Sequence, residues 1–163
     1  MARVAIVMGS DHDLPVVEKA ISCLKDLKVE YEVRVISAHR SPEACAFFSR
    51  SAEENGFGAI IAAAGKAAHL AGAIAANTVL PVIGIPVKSS TLDGLDALLS
   101  TVQMPSGMPV ATVAIDGAEN AAILAAQILA NGDPELRARL KEKRRKALQA
   151  IEEADKRVNE QFQ

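Results

Sequence analysis

Residues 4–10, VAIVMGS, place five apolar residues in an unbroken row and then stop at Gly9-Ser10. A strand with one face in water alternates apolar and polar residues, whereas an unbroken run is what a strand covered on both faces shows. Four later stretches are strand-like too: YEVRVIS at 31–37, GAIIAAA at 58–64, PVIGIPV at 81–87 and VATVAI at 110–115, with helix-like segments between them. Such alternation is the signature of βαβ units around a parallel sheet, so the expectation is an α/β domain of three layers. In the second stretch Val33, Val35 and Ile36 are expected to be buried.

Five strands point to a flavodoxin-like order, 2-1-3-4-5, whose right-handed crossovers bring every strand-to-helix loop to one edge of the sheet. A chain of 163 residues, half of them apolar, is the size of one domain, and no repeat or linker interrupts it. We therefore read 1–163 as a single unit, with an α/β core over 1–132. The segments AAHLAGAIAAN (67–77) and AENAAILAAQILAN (118–131) are helix-like and small on almost every face, which invites cover by other subunits. From Asp133-Pro134, a helix start signal, 133–163 forms a charged C-terminal helical extension. Its apolar residues Leu140, Ala147, Ile151, Ala154 and Val158 make a narrow stripe suited to a partner chain or to the helix's own domain.

Composition narrows the function. Eighteen basic and 20 acidic residues intermix to a net charge of −2, and only 3% of residues are aromatic. A nucleic-acid partner would need a basic field or stacking platforms, so none is expected. Cys23 and Cys45 fall in helical segments without metal-like spacing and read as reduced, packed thiols, which fits a cytoplasmic location. The N-terminal apolar run is too short to cross a bilayer and lacks the features of a signal peptide.

The chain has three histidines, and His12, His39 and His69 each follow one of the first three strands. That places all three on the edge where ligands of this architecture bind. In the first loop Gly9 permits close approach, and Ser10 with the helix amides offers an anion site. Asp13 is suited either to capping the helix or to accepting hydrogen bonds from sugar hydroxyls. In the second loop Arg40 presents a planar fork for phosphate, Ser37 adds a donor, and His39 can carry a proton near neutral pH. Ser41-Pro42-Glu43 there reads as a helix cap. The third loop, AAAGKAAHLAG at 62–72, has almost no side chains before Lys66, so a flat ring can lie against its backbone, unless it is only a tight packing turn.

MGSDHD, SAHRSP and AAHLAG, followed by IPV after the fourth strand and QMPSGMPVATVAI before the fifth, resemble the PurE family, from the first strand to about Asn131. The His-Arg pair and the Ala-Ala-His loop resemble its class I members, the N5-carboxyaminoimidazole ribonucleotide mutases of purine biosynthesis. The resemblance implies a reaction without cofactor or metal, in which carbon dioxide leaves the exocyclic nitrogen and is reattached at carbon 4 of the imidazole. His39 is then the proton shuttle and His69 lines the carbon dioxide pocket. Ser10, Ser37 and Arg40 hold phosphate, Asp13 the ribose, and Ala64, Gly65 and Leu70 the imidazole. It also implies octamers of identical chains, with the terminal helix reaching neighbours. Two positions depart from the pattern: Lys66 stands where class I has a second glycine, and His12 where a small serine is usual.

Two rival readings follow. A class II-like carboxylase would use free carbon dioxide and the unmodified aminoimidazole ribonucleotide; Arg40 and His69 argue against it, and Lys66 mildly for it. A non-enzymatic flavodoxin-like signalling or flavin module would need an aspartate ending the third strand or aromatics beside a flavin ring. Ala62-Ala63-Ala64-Gly65 supplies neither.

Overall fold

In the computed structural model, which describes residues 2–163, the apolar runs form β1 (Arg3–Met8), β2 (Tyr31–Val35), β3 (Phe57–Gly65), β4 (Val82–Val87) and β5 (Ala111–Thr112). They make one all-parallel sheet in the order β2-β1-β3-β4-β5, as expected. The helices are α1 (Leu14–Asp26), α2 (Pro42–Ser51), α3 (Leu70–Ala75), α4 (Leu95–Val102), α5 (Ala118–Leu129) and α6 (Pro134–Phe162).

The unbroken runs are explained by the two cores they separate. Successive side chains of a strand point to opposite faces. Val4, Ile6 and Met8 of β1, Ala59, Ile61 and Ala63 of β3, and Ile83, Ile85 and Val87 of β4 meet α1 and α5 on one face. Ala5, Val7, Ile60, Ala62 and Val82 meet α2 and α3 on the other. Ile6, Ile60, Ile61, Ile83 and Ile85 are fully buried, and burying each side chain stabilises the fold by about 1.5–3 kcal/mol. Gly84 of β4 makes room for α4: a Cβ there would stand 2.4 Å from Thr101 Cγ2.

Several expectations are corrected. β2 stops at Val35 and lies at the edge of the sheet, so Val33 is half-buried and Val35 is 57% exposed, while Ile36, just beyond the strand, is buried. A strand with one neighbour lacks the cover that central strands have. The fifth strand shrinks from 110–115 to two residues, because the chain leaves the ladder for a turn at Asp116 (φ 57°), whose carboxylate accepts the Lys88 N–H at 2.9 Å. One face of each alanine-rich segment is covered by its own chain, while Ile123, Leu124 and Ile128 of α5 stay partly exposed. Ala118, Ala121, Ala122, Ala125 and Ala126 of α5 are fully buried in the first core, and Leu70, Ala71, Ile74 and Ala75 of α3 are buried in the second.

Cys23 and Cys45 are free and buried on opposite faces of the sheet, and burial pushes both thiols above their ordinary pKa. The stripe of α6 divides in two. Asp133 caps the helix by accepting the Leu136 N–H at 2.9 Å, Leu136 is buried, and Leu140 packs on the core. Arg139 Nε donates to Leu27 O at 2.7 Å, and Lys143 pairs with Glu119 at 2.9 Å. Beyond that anchor the helix runs free, with Ile151 69% and Phe162 80% exposed.

Candidate active site

Strand register builds the crevice. Met8 pairs with both Val35 and Ala63, so β1, β2 and the body of β3 end level with one another. β3 and β4 continue together for two more pairs, Ala64 with Pro86 and Gly65 with Val87. At about 3.3 Å per residue this raises a wall some 6–7 Å above the end of β1. Gly9 forms the floor at its foot, donating its N–H to Ala63 O at 3.0 Å. A methyl at Gly9 would meet Ala64 Cβ and Leu70 Cδ2 at 3.8 and 4.0 Å, so glycine is there to leave the floor open and not to avoid a clash. The space enclosed is about 600 Å³, the size of a small-molecule site.

From the first loop Gly9, Ser10, His12 and Asp13 line the crevice. Asp11–Asp13 form a 3-10 turn that Ser10 caps with its own hydroxyl. Ser10 Oγ accepts the His12 N–H at 3.3 Å and lies 2.9 Å from His12 Nδ1, and Ser10 O accepts the Asp13 N–H at 3.1 Å. His12 therefore orients the serine hydroxyl while its ring stays almost wholly in solvent. Asp13 precedes α1, yet its side chain makes no cap bond. Its carboxyl is half-buried, and burial raises its pKa, with the Ser10 backbone amide and His12 pulling partly the other way. A desolvated carboxylate with spare acceptor capacity fits hydroxyl donors.

From the second loop come Ser37, Ala38, His39 and Arg40. Ser37 Oγ accepts the Arg40 N–H at 3.1 Å and Nε at 3.4 Å, and Arg40 Nη2 donates to Gly9 O at 3.3 Å. The guanidinium thus bridges two loops at the mouth of the crevice. Ser41 does not cap α2 with its side chain. Its hydroxyl turns back to donate to Ser37 O at 2.9 Å and accepts the Ser37 N–H at 3.2 Å, cross-bracing the loop that carries His39.

The third loop contributes Ala64, Gly65, Lys66, Ala67, His69 and Leu70. Two short bonds, Ala68 N–H to Lys66 O and His69 N–H to Ala67 O, both 2.8 Å, coil the chain tightly between β3 and α3. The His69 ring lies over Gly72, where a Cβ would come 2.5 Å from Cε1 and 2.9 Å from Nδ1. All twelve positions singled out from the sequence line this one crevice. Lys88 and Ser89, at the end of β4, line it as well and were not singled out. Their signal was the order of the sheet, which sets the fourth loop beside the third. Lys88 Nζ pairs with Asp93 at 3.2 Å. Among the described residues no group of three or more His, Cys, Asp or Glu is placed to hold a metal ion, and no helix is long and apolar enough to cross a membrane.

The arrangement offers a guanidinium and two serines for a phosphate, a carboxylate for hydroxyls, a narrow backbone wall for a flat ring and two histidines for proton transfer. Comparison with known proteins places the chain in a family. The family model of AIR carboxylase matches residues 3–150. The N5-carboxyaminoimidazole ribonucleotide mutase of Pyrococcus abyssi is 58% identical over 144 residues, 88% of this chain and 83% of that protein. The mutase of Escherichia coli is 55% identical over 146 residues, 88% of this chain and 86% of its own. Among solved structures, Treponema denticola PurE superposes with a TM-score of 0.89 at 31% identity, covering 97% of this chain and 99% of that one.

Proposed function

This chain belongs to the AIR carboxylase family, and we propose that within it the protein is an N5-carboxyaminoimidazole ribonucleotide mutase of purine biosynthesis. The substrate enters with its phosphate toward Arg40, Ser37 and Ser10, its ribose hydroxyls on Asp13 and its imidazole along Ala64, Gly65 and Leu70. The exocyclic N–C bond breaks, carbon dioxide leaves and the nitrogen takes a proton. Carbon 4 of the ring then attacks the retained carbon dioxide and loses its own proton. One proton is given and one taken, so a single histidine can shuttle it and no net acid or base is consumed. His39 is that histidine, and His69 bounds the space in which carbon dioxide waits.

One observation carries the reading: His39 sits in the same braced turn as Arg40, whose guanidinium spans Gly9 and Ser37. Binding the phosphate therefore fixes the position of the proton carrier. The active protein is an octamer of identical chains in the cytoplasm. Support for assembly comes from Phe47, 75% exposed, Val79, 88% exposed, and the free half of α6. Size-exclusion chromatography with light scattering measures it, and a monomer would refute it.

The test is an ultraviolet assay with freshly made N5-carboxyaminoimidazole ribonucleotide, run beside one with the uncarboxylated ribonucleotide plus bicarbonate. Conversion of the first alone supports the mutase, and turnover of the second alone would make the protein a carboxylase. His39→Asn should abolish turnover and leave ribonucleotide affinity nearly intact, since it removes the proton carrier and keeps the phosphate clamp. Equal losses of both would refute the shuttle.

A further inference from the structure

Lys66 is held at a cost in backbone strain. Its backbone lies at φ 58°, a left-handed conformation that glycine adopts freely and a residue with a Cβ does not. It follows directly on the Gly65–Val87 pair, so Lys66 and Lys88 leave adjacent strands side by side, about 5 Å apart along the backbone, with like charges. Lys88 is neutralised by Asp93, but Lys66 forms no ion pair among the described residues. A residue strained in its backbone and left as an unpaired cation on a crevice wall marks a position kept for what it binds.

The crevice supplies the ligand's chemistry. The Arg40 guanidinium spans the ends of β2 and β1 and Lys66 lies beyond β3, so their backbone attachments are one to two strand spacings apart, about 5–10 Å. Asp13 is the one acidic side chain lining the space between them. Two cationic poles at that separation fit a ligand carrying two separate anions. We infer that Lys66 binds the carboxylate that migrates in the reaction, with its ammonium following that group from the exocyclic nitrogen to carbon 4. The inference rests on the mutase reading above and deepens it, because Lys66 becomes the residue that distinguishes carboxylated from uncarboxylated ribonucleotide. Four flexible methylenes let one ammonium serve both positions, which a fixed guanidinium fork does less well.

Calorimetry with two probes tests this: the 4-carboxy-5-aminoimidazole ribonucleotide and its uncarboxylated counterpart, which share ribose and phosphate. Lys66→Gln and Lys66→Gly should each weaken the carboxylated probe about tenfold or more and leave the other within about twofold, and Lys66→Arg should keep most of the preference. Lys66→Gly, which relieves the backbone, should also melt at a higher temperature than the parent, and Lys66→Gln should not. Parallel weakening of both probes, or no change in either, overturns the inference. Parent protein that binds neither probe would refute the mutase reading itself, whereas parent protein that binds both while the variants keep full discrimination would refute Lys66 alone.

Discussion

Replacing Gly72 by alanine should disable the site without unfolding the protein. The new Cβ would stand 2.5 Å from His69 Cε1 and 2.9 Å from both His69 Nδ1 and Met104 Sδ. Comfortable carbon contacts begin near 3.5 Å, so the ring must retreat by about 1 Å. It has somewhere to go, since His69 is exposed on the crevice side, and Met104 is the kind of side chain that adjusts. Alanine also favours the helix over glycine by about 1 kcal/mol, which offsets much of the crowding in α3. Global stability should therefore change by less than about 1 kcal/mol in urea titration. Displacing an active-site group by about 1 Å costs on the order of 100-fold in rate, or about 2.7 kcal/mol of barrier. The steady-state ultraviolet assay should show that loss in kcat, and adding Gly72→Ala to His69→Ala should lower kcat little further. A single variant with undiminished kcat, or a full 100-fold loss repeated in the His69→Ala background, would refute the idea that Gly72 exists to seat this ring.

Gly84→Ala should behave in the opposite way. Its Cβ would meet Thr101 Cγ2 at 2.4 Å, and Thr101 is buried, β-branched and bonded through its hydroxyl to Ala68 O and Ala97 O, so nothing can swing away. A loss of about 1–3 kcal/mol or more in denaturant unfolding is expected, and unchanged stability would refute it. Asp13→Asn should raise the melting temperature at pH 7 while weakening ribonucleotide binding. Burial holds the folded pKa of Asp13 above its unfolded value, so the native state binds more protons than the unfolded one between the two, and the ionised group destabilises the fold at higher pH. That penalty is complete above the raised pKa and vanishes once both states are protonated. The gain from asparagine should therefore fade as pH falls below about 4, and a gain independent of pH would contradict burial as its cause. Arg40→Lys should weaken ribonucleotide binding and, by loosening the turn that carries His39, lower kcat by a smaller factor, because a point charge cannot bridge Gly9 O and Ser37 Oγ and still face a phosphate. Titration calorimetry that finds unaltered affinity would remove Arg40 from the phosphate site.

The fold was legible because burial on both faces writes itself into local sequence. Ile60-Ile61 and Ile83 have no polar neighbours in the strand, since every side chain there enters one core or the other. The loops were legible because chemistry-bearing residues stood where such runs stop. What local pattern cannot carry is how many neighbours an element has. Val35 is as apolar as Val7, yet one lies on an edge strand and the other between two partners, a difference made by crossovers that span tens of residues. The same holds at the site. Ser41 looked like a helix cap and became a brace for Ser37, and Lys88 joined the crevice because β4 lies beside β3. The sequence by itself determined the parallel sheet, its order and the three loops that meet at its edge, because hydrophobic period and turn residues act over a few positions. Only the tertiary structure decided which hydroxyl points where, which end of α6 is anchored and that Lys66 stands strained and unpaired on the wall, because those outcomes depend on contacts between residues far apart in the chain.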